Sequence, residues 1–266
     1  MTVPLEIQRI SRRKRLATFG ILVGLLLFTA VSSIVTQFNF VLMFSSLPKA
    51  FFWMFTRFAP GSRAAKALPQ IIGKLGETVL VSVMATVIAA ALALVFAILA
   101  SRTTRPVRTG SLVIRGIASF CRNVPVVAWA MILLLALGQN SITGLLALLI
   151  GTFGYLTRAF TETIDDVAES SVEALRASGA GWLSTVTRAV IPSILPTVAS
   201  WMLYMVETNI RDATLVGLLT GTGIGFLFDR YYKVMNFEVA GAVVIGIILT
   251  VIVVESISNL LRRSFL

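Results

Sequence analysis

The chain has 266 residues, of which 57% are hydrophobic and 13% charged, with a mean hydropathy of +0.91. An ordinary soluble domain carries roughly 25% charged residues, so most of this chain has the bilayer as its solvent. With no histidine and a single cysteine, Cys121, it can form no internal disulfide, no histidine general base and no His/Cys metal cage. Its formal charge of +11 is read as basic segments flanking membrane spans rather than as a nucleic-acid surface.

A spanning helix needs roughly 20 apolar residues, so the intervals between charges set the expected elements. The first apolar run, Ala17 to about Thr36, follows the basic cluster Arg9, Arg12, Arg13, Lys14 and Arg15. A secretory signal has the same layout, with Ala30-Val31-Ser32 as a cleavage site, but the run is longer than such segments carry, which favours a retained span. Both readings start the chain in the cytoplasm. Phe51, Phe52, Trp53, Phe55 and Phe58 around Arg57 suit an outer stretch lying in the membrane interface.

Thr78–Ser101 predicts the second span. Arg102, Arg105, Arg108, Arg115 and Arg122 follow with no acid among them, which marks the cytoplasmic side. Asn123–Thr157 is uncharged and would be about 52 Å long as one helix at 1.5 Å per residue. It is therefore expected to fold back as spans three and four, turning at Gly138-Gln139-Asn140-Ser141. A single span is the competing count.

Ala189–Val206 predicts span five, with Pro192 and Pro196 near its start, where a helix tolerates proline. Ala213–Phe228 is short and carries Gly217, Gly221, Gly223 and Gly225, a composition that suits a re-entrant turn buried in protein. Val239 to just beyond Glu255 predicts span six, ending before Arg262 and Arg263. The expectation is an all-α membrane protein of about six transmembrane helices with both termini cytoplasmic. Fifteen of the 23 Lys and Arg then fall inside, the direction membrane topology prefers. A division follows into residues 1–75 (tail, first span, outer interfacial segment) and a core of 76–266.

Residues 158–191 read differently. They hold Glu162, Asp165, Asp166, Glu169 and Glu173 against Arg158, Arg176 and Arg188. Ile164, Val167, Ala168, Val172 and Leu175 recur at helical spacing, while Asp165, Glu169 and Glu173 line a second face at i, i+4, i+8. Like charges so placed weaken a helix, so a basic counterpart is expected, and anionic lipid cannot supply it. Ser178-Gly179-Ala180-Gly181 breaks this helix before Trp182, Val186 and Val190 restart an apolar face. A solvated loop with an ordinary acidic face and a protein-docking site both fit the pattern.

Glu173-Ala174-Leu175, then Gly179, then Ile191-Pro192 resembles the Glu-Ala-Ala, Gly, Leu-Pro loop of ABC-importer permeases, with Leu175 and Ile191 as conservative departures. The resemblance extends from about residue 70 to the C-terminus. Arg122-Asn123-Val124-Pro125 with Trp129-Ala130, and the stretch Glu207 to Gly225, are most similar to the phosphonate-permease branch, which imports phosphonates, phosphonate esters or phosphite. It implies a type I ABC-importer permease fold in the cell inner membrane, with the acidic loop as coupling helices in a cleft of the ATP-binding subunit. Glu173, Ala174 and Gly179 carry the coupling motif, with Glu169 and Asp165 on the same stripe. The implied partners are an ATP-binding subunit dimer, a second permease copy or close relative, and an external solute-binding protein.

Gly73-Lys74 has Leu68 where a phosphate-binding loop needs its first glycine, and Leu75 follows. ATP and Mg are therefore expected on the partner subunit, with no cofactor in this chain and no enzymatic activity of its own.

An oxyanion crossing a low-dielectric region needs positive charge or aligned N–H donors. Glu207, Asn209 and Arg211, then Thr214, Gly221 and Gly223, stand between span five and the glycine-rich stretch, near the expected outer mouth. Glu207 and Arg211 at i, i+4 also suit mutual neutralisation, and the glycines suit close helix packing. Glu77 and Glu255 lie beside membrane; as ion sites they would favour an ion-coupled secondary transporter, a reading that leaves the acidic loop without a purpose.

Overall fold

The computed structural model describes residues 5–265, with side chains from 14 to 263; Arg9, Arg12 and Arg13 of the basic cluster lie outside the described side chains. The chain divides into two units, residues 1–56 and 57–266.

The first unit is helical. Helix α1 (Leu5–Val35) is unbroken through its apolar run. The chain turns at Gln37, which has a φ of 53°. Asn39 then opens α2 (Phe40–Arg57), its side-chain oxygen accepting a hydrogen bond from the Leu42 amide at 3.0 Å. Asn is among the residues that best close a helix N-terminus in this way.

The second unit contains α3 (Ser62–Ala100), α4 (Arg108–Asn123), α5 (Val126–Leu137), α6 (Ser141–Val167), α7 (Glu169–Ala177), α8 (Trp182–Thr185), α9 (Ile191–Thr220), α10 (Gly223–Lys233) and α11 (Phe237–Phe265). Among the described residues, five helices are long and apolar enough to cross a membrane, and six crossings result if the bent pair α4–α5 counts as one.

Lipid tails are as apolar as leucine, so helices in a membrane associate through close packing and polar contacts rather than by escape from water. Helix α3 is built for this. Ser82, Ala85, Thr86, Ala89, Ala93, Ala97 and Ala100 form a stripe of small buried residues, and α6 packs along it in two clusters, with Leu148 in the one that holds Ala85 and Leu156, Phe160 and Ile164 in the one that holds Ala93 and Ala97. Gly154 of α6 lets α4 approach so closely that a Cβ there would stand 2.7 Å from the Ala118 carbonyl oxygen and the Arg122 amide nitrogen. A third cluster, Ile71, Ile224, Leu227, Val239 and Val243, joins α3, α10 and α11.

The hairpin turn lies where the sequence placed it. Gly138 adopts a φ of 74° after α5, and the Asn140 side chain accepts from the Thr143 amide at 2.9 Å to open α6. The arm before it differs. Val124-Pro125 breaks it and sets α4 and α5 at 92° to one another, because proline clashes with helical geometry in the residue before it. The arm expected as the third span is thus a bent pair of helices, α4 and α5, which passes the length and composition test for a crossing only when taken together.

The acidic helix expected to run through residues 164–175 is likewise two pieces: α6 continues to Val167, and buried Ala168 joins it to α7. The fifth span is much longer than Ala189–Val206. A continuous apolar helix covers Trp182–Thr220, passing through a π-helical turn at Val186–Val190 just before Pro192. There the Ile191 amide reaches back to the Val186 carbonyl. Residues 213–220 complete this helix, and the reversal comes only at Gly221 and Gly223, whose φ values are 71° and 62°, a conformation only glycine adopts without strain.

Candidate functional site

Helix α7 hides Val172 in the core and leaves Glu169, Glu173 and Ala174 exposed. It ends in a turn that returns two amides to its own carbonyls: Gly179 donates to Arg176 at 3.0 Å and Ala180 to Leu175 at 3.1 Å. This is a Schellman motif, which needs a left-handed residue at its corner. Gly179 supplies it with a φ of 80°, and a Cβ at that position would meet nothing within 4 Å. The glycine is required by its dihedral angle and not by crowding. Beyond it, Trp182 and Leu183 are exposed.

This loop is fastened to the corner between α3 and α4. Arg176 Nη2 donates to the Thr103 carbonyl at 2.8 Å, and Trp182 Nε1 donates to the Thr104 carbonyl at 2.7 Å. Asp165, at the end of α6, accepts from the Ser101 hydroxyl at 2.5 Å and the Thr103 amide at 3.3 Å, and pairs with Arg115 Nη2 at 3.2 Å. Arg115 Nε and Ser111 Oγ both donate to the Ala100 carbonyl. Thus the acidic stripe splits. Asp165 faces inward and holds the corner, whereas Glu169 and Glu173 point outward with no ion pair among the described residues.

The candidates on α9 lie within one helix. Asn209 is 1% exposed. Its Nδ2 donates to Thr86 Oγ1 at 2.8 Å and stands 2.9 Å from Thr152 Oγ1, while Ser82 Oγ donates to the Asn209 carbonyl at 3.1 Å. The residue ties α3, α6 and α9 together. Glu207, with a side chain 12% exposed, pairs with Arg211 at 2.9 Å and lies 3.9 Å from Arg262 Nη2 in the last turns of α11. Thr214 donates to its own helix at the Ile210 carbonyl.

Gly221 caps α9. The amides of Gly223 and Ile224 are taken by α3: Glu77 Oε1 accepts from Gly223 at 3.3 Å and Thr78 Oγ1 from Ile224 at 2.9 Å. Glu77 is also paired with Lys74 at 2.6 Å, so a carboxylate and a hydroxyl of α3 already occupy the Gly223 and Ile224 amides.

A polar face escaped the sequence reading. Tyr155, Arg158 and Glu162 follow one another on α6 at i, i+3, i+7, and Trp201, Tyr204, Thr208 and Arg211 do so on α9. The rings of Tyr155, Trp201 and Tyr204 form a triangle with centroids 5.9–6.1 Å apart. Below it, between α4 and α6, lies a cavity of about 700 Å³ whose walls include Arg115, Ser119, Thr157, Arg158 and Glu162. Intramembrane residues of this kind face other protein or a water-filled passage. The helical spacing of those aromatic and charged residues was the available signal.

Residues 93–265 match the family model described as binding-protein-dependent transport system inner membrane component. Over 256 residues the chain is 32% identical to a phosphate-import permease protein, PhnE, of Mycolicibacterium smegmatis, covering 94% of this chain and 47% of that one. It therefore spans about half the length of that relative. It is 32% identical over 189 residues to the phosphite transport system permease protein PtxC of Stutzerimonas stutzeri, covering 71% of this chain and 69% of that one. Among solved structures, the MetNI methionine ABC transporter in an inward-facing form resembles the fold with a TM-score of 0.64 at 16% identity, over 77% of this chain and 99% of that one. A bacterial alginate ABC importer does so with a TM-score of 0.63 at 15% identity, over 96% and 99%.

Proposed function

Since the chain belongs to the family of binding-protein-dependent transport system inner membrane components, the permeases of ABC importers, we propose that it forms the passage for phosphonate-like oxyanions: phosphonates, their esters or phosphite. The names of its relatives support that cargo class. Two permease chains, two ATP-binding subunits carrying ATP and Mg, and an external solute-binding protein make up the working assembly.

One observation carries the coupling assignment. Glu169 and Glu173 project from a short helix whose other face buries Val172, whose start follows the Asp165 tie at the end of α6 and whose far end is held by Arg176 and Trp182, so a load applied to them reaches the bundle rather than being lost in a slack loop. In this reading Glu169, Glu173, Ala174 and Gly179 meet the ATP-binding subunit, and the loop and both chain termini are cytoplasmic. Asp165 is a strut behind the docking face. Closure of the ATP-binding subunits on ATP pushes the loops together and rocks the helices, giving alternating access by rigid-body motion. Tight binding of cargo by the permease is not needed, because the solute-binding protein selects it.

The test is reconstitution. Vesicles holding this chain, its ATP-binding subunit and the loaded binding protein are expected to take up methylphosphonate or phosphite only while ATP is hydrolysed. Uptake by this chain alone, driven by a proton or sodium gradient, would overturn the proposal.

A further inference from the structure

We propose that Arg122 and Thr157 form an anion-contact point on the passage, at the head of the polar cavity between α4 and α6, which a tetrahedral oxyanion occupies transiently on its way through. The inference rests on the oxyanion reading above and adds the residues that touch the cargo.

The starting point is a set of unmatched donors. Helix-borne cations near this face are neutralised within the chain: Arg115 by Asp165, Arg158 by Glu162, and Arg211 by Glu207. Arg122 has neither an ion pair nor a hydrogen bond among the described residues, although its Nε is buried. Thr157 is 1% exposed and its hydroxyl is likewise buried without a partner. Most threonines in these helices return their hydroxyl to a carbonyl one turn back, as Thr161 and Thr163 do. Burying a donor nitrogen or a hydroxyl unmatched is costly, and an anion that accepts from both removes that cost while it is present.

The two donors are neighbours by construction of the fold. The Arg122 backbone packs against Gly154, one turn of α6 before Thr157. Arg122 itself stands one turn beyond Ala118 and Ser119, which line the cavity together with Thr157. Tyr155, in the aromatic triangle, follows Gly154 directly on α6. The contact point therefore lies between the aromatic triangle and a cavity of about 700 Å³, roomy enough for a small hydrated oxyanion. Of the four acids on the cavity wall, Asp165 and Glu162 are each committed to an arginine of their own, whereas Asp166 and Glu169 carry no ion pair among the described residues and lie more than two helical turns further along the chain than Thr157, with Arg102 on the same wall. A guanidinium with a hydroxyl suits a phosphonate or phosphite oxygen pair better than a carboxylate-free neutral solute.

The experiment compares wild type with R122Q, R122K and T157V in vesicles containing the complete transporter, with methylphosphonate, phosphite and inorganic phosphate as probes. Uptake and ATP hydrolysis are read together. R122Q is expected to lower uptake at least tenfold while hydrolysis stimulated by the loaded binding protein stays within twofold of wild type. R122K should recover part of the loss. T157V, nearly isosteric, should lower uptake about threefold and serves as the test if R122Q does not reach the membrane.

Uptake by these variants within twofold of wild type, or hydrolysis falling in step with uptake, overturns the contact point. The R122Q defect is expected to be equal in phospholipid and galactolipid vesicles. A defect confined to phospholipid would assign the position to a lipid headgroup and also overturn it. Failure of the wild type to take up any probe would instead overturn the cargo reading, and this inference with it.

Discussion

Two of the residues singled out in the sequence stand where a single atom or angle decides their effect. Asn209 satisfies hydroxyls on two other helices from a position with no access to solvent. Interhelical hydrogen bonds in membranes contribute roughly 0.6 to 1.7 kcal/mol each, so N209L is expected to lower the unfolding free energy by about 1–3 kcal/mol in detergent with helix content retained. Unchanged stability would show that the three helices hold together without it. Gly179 has room for a side chain but a dihedral angle that opposes one. A left-handed L-residue costs about 1–2 kcal/mol, less for asparagine. G179V should therefore uncouple hydrolysis from uptake, and G179N should keep more uptake than G179V at equal membrane abundance; equal behaviour of the two would rule out the backbone angle as the cause. Residue identity was readable for both positions, but role was not. Asn209 looked like a passage residue because polarity in a span signals function, and only the positions of Thr86 and Thr152 reveal that its bonds are spent inside the bundle.

Among the elements, the loop of α7 and α8 is joined to α6 and α9 through the chain and to the α3–α4 corner through side chains. W182F removes one donor while keeping an aromatic ring, and R176Q shortens the other. With both changes, the amides of residues 103, 104, 105 and 107 are expected to exchange with deuterium several-fold faster, and solute moved per ATP hydrolysed should fall. Unaltered exchange would mean that the corner is rigid on its own account, through Thr104, Ser111 and Arg115. Spans and the hairpin turn were legible because charge-free length and a Gly-Gln-Asn-Ser turn are local signals. The break at Val124-Pro125 was less so, since the proline sits in a charge-free run whose length alone suggested a simple hairpin. The extent of α9 was hidden for the opposite reason: Glu207 and Arg211 interrupt the apolar run, yet they neutralise one another on one helix face.

For the whole molecule, the acidic loop is an exception in a chain of formal charge +11. Electrostatic complementarity would then steer the ATP-binding subunit to Glu169 and Glu173. The double reversal E169K/E173K is expected to weaken capture of that subunit by about tenfold at ~0.1 M salt, with the difference shrinking as salt rises. Equal capture at all salt concentrations would remove these carboxylates from the contact.

The fastening of this loop has an evolutionary corollary. Both Arg176 and Trp182 end on main-chain oxygens, at residues 103 and 104, and every amino acid presents that oxygen. These two bonds therefore do not depend on the side chain at 103 or 104, and across relatives the two donors should be retained even where residue 103 varies, whereas Thr104, buried with its hydroxyl on the Ile98 carbonyl, has a reason of its own to persist. A search for correlated substitutions would pass over this linkage, although under the coupling proposal it is the route by which force from the motor would travel.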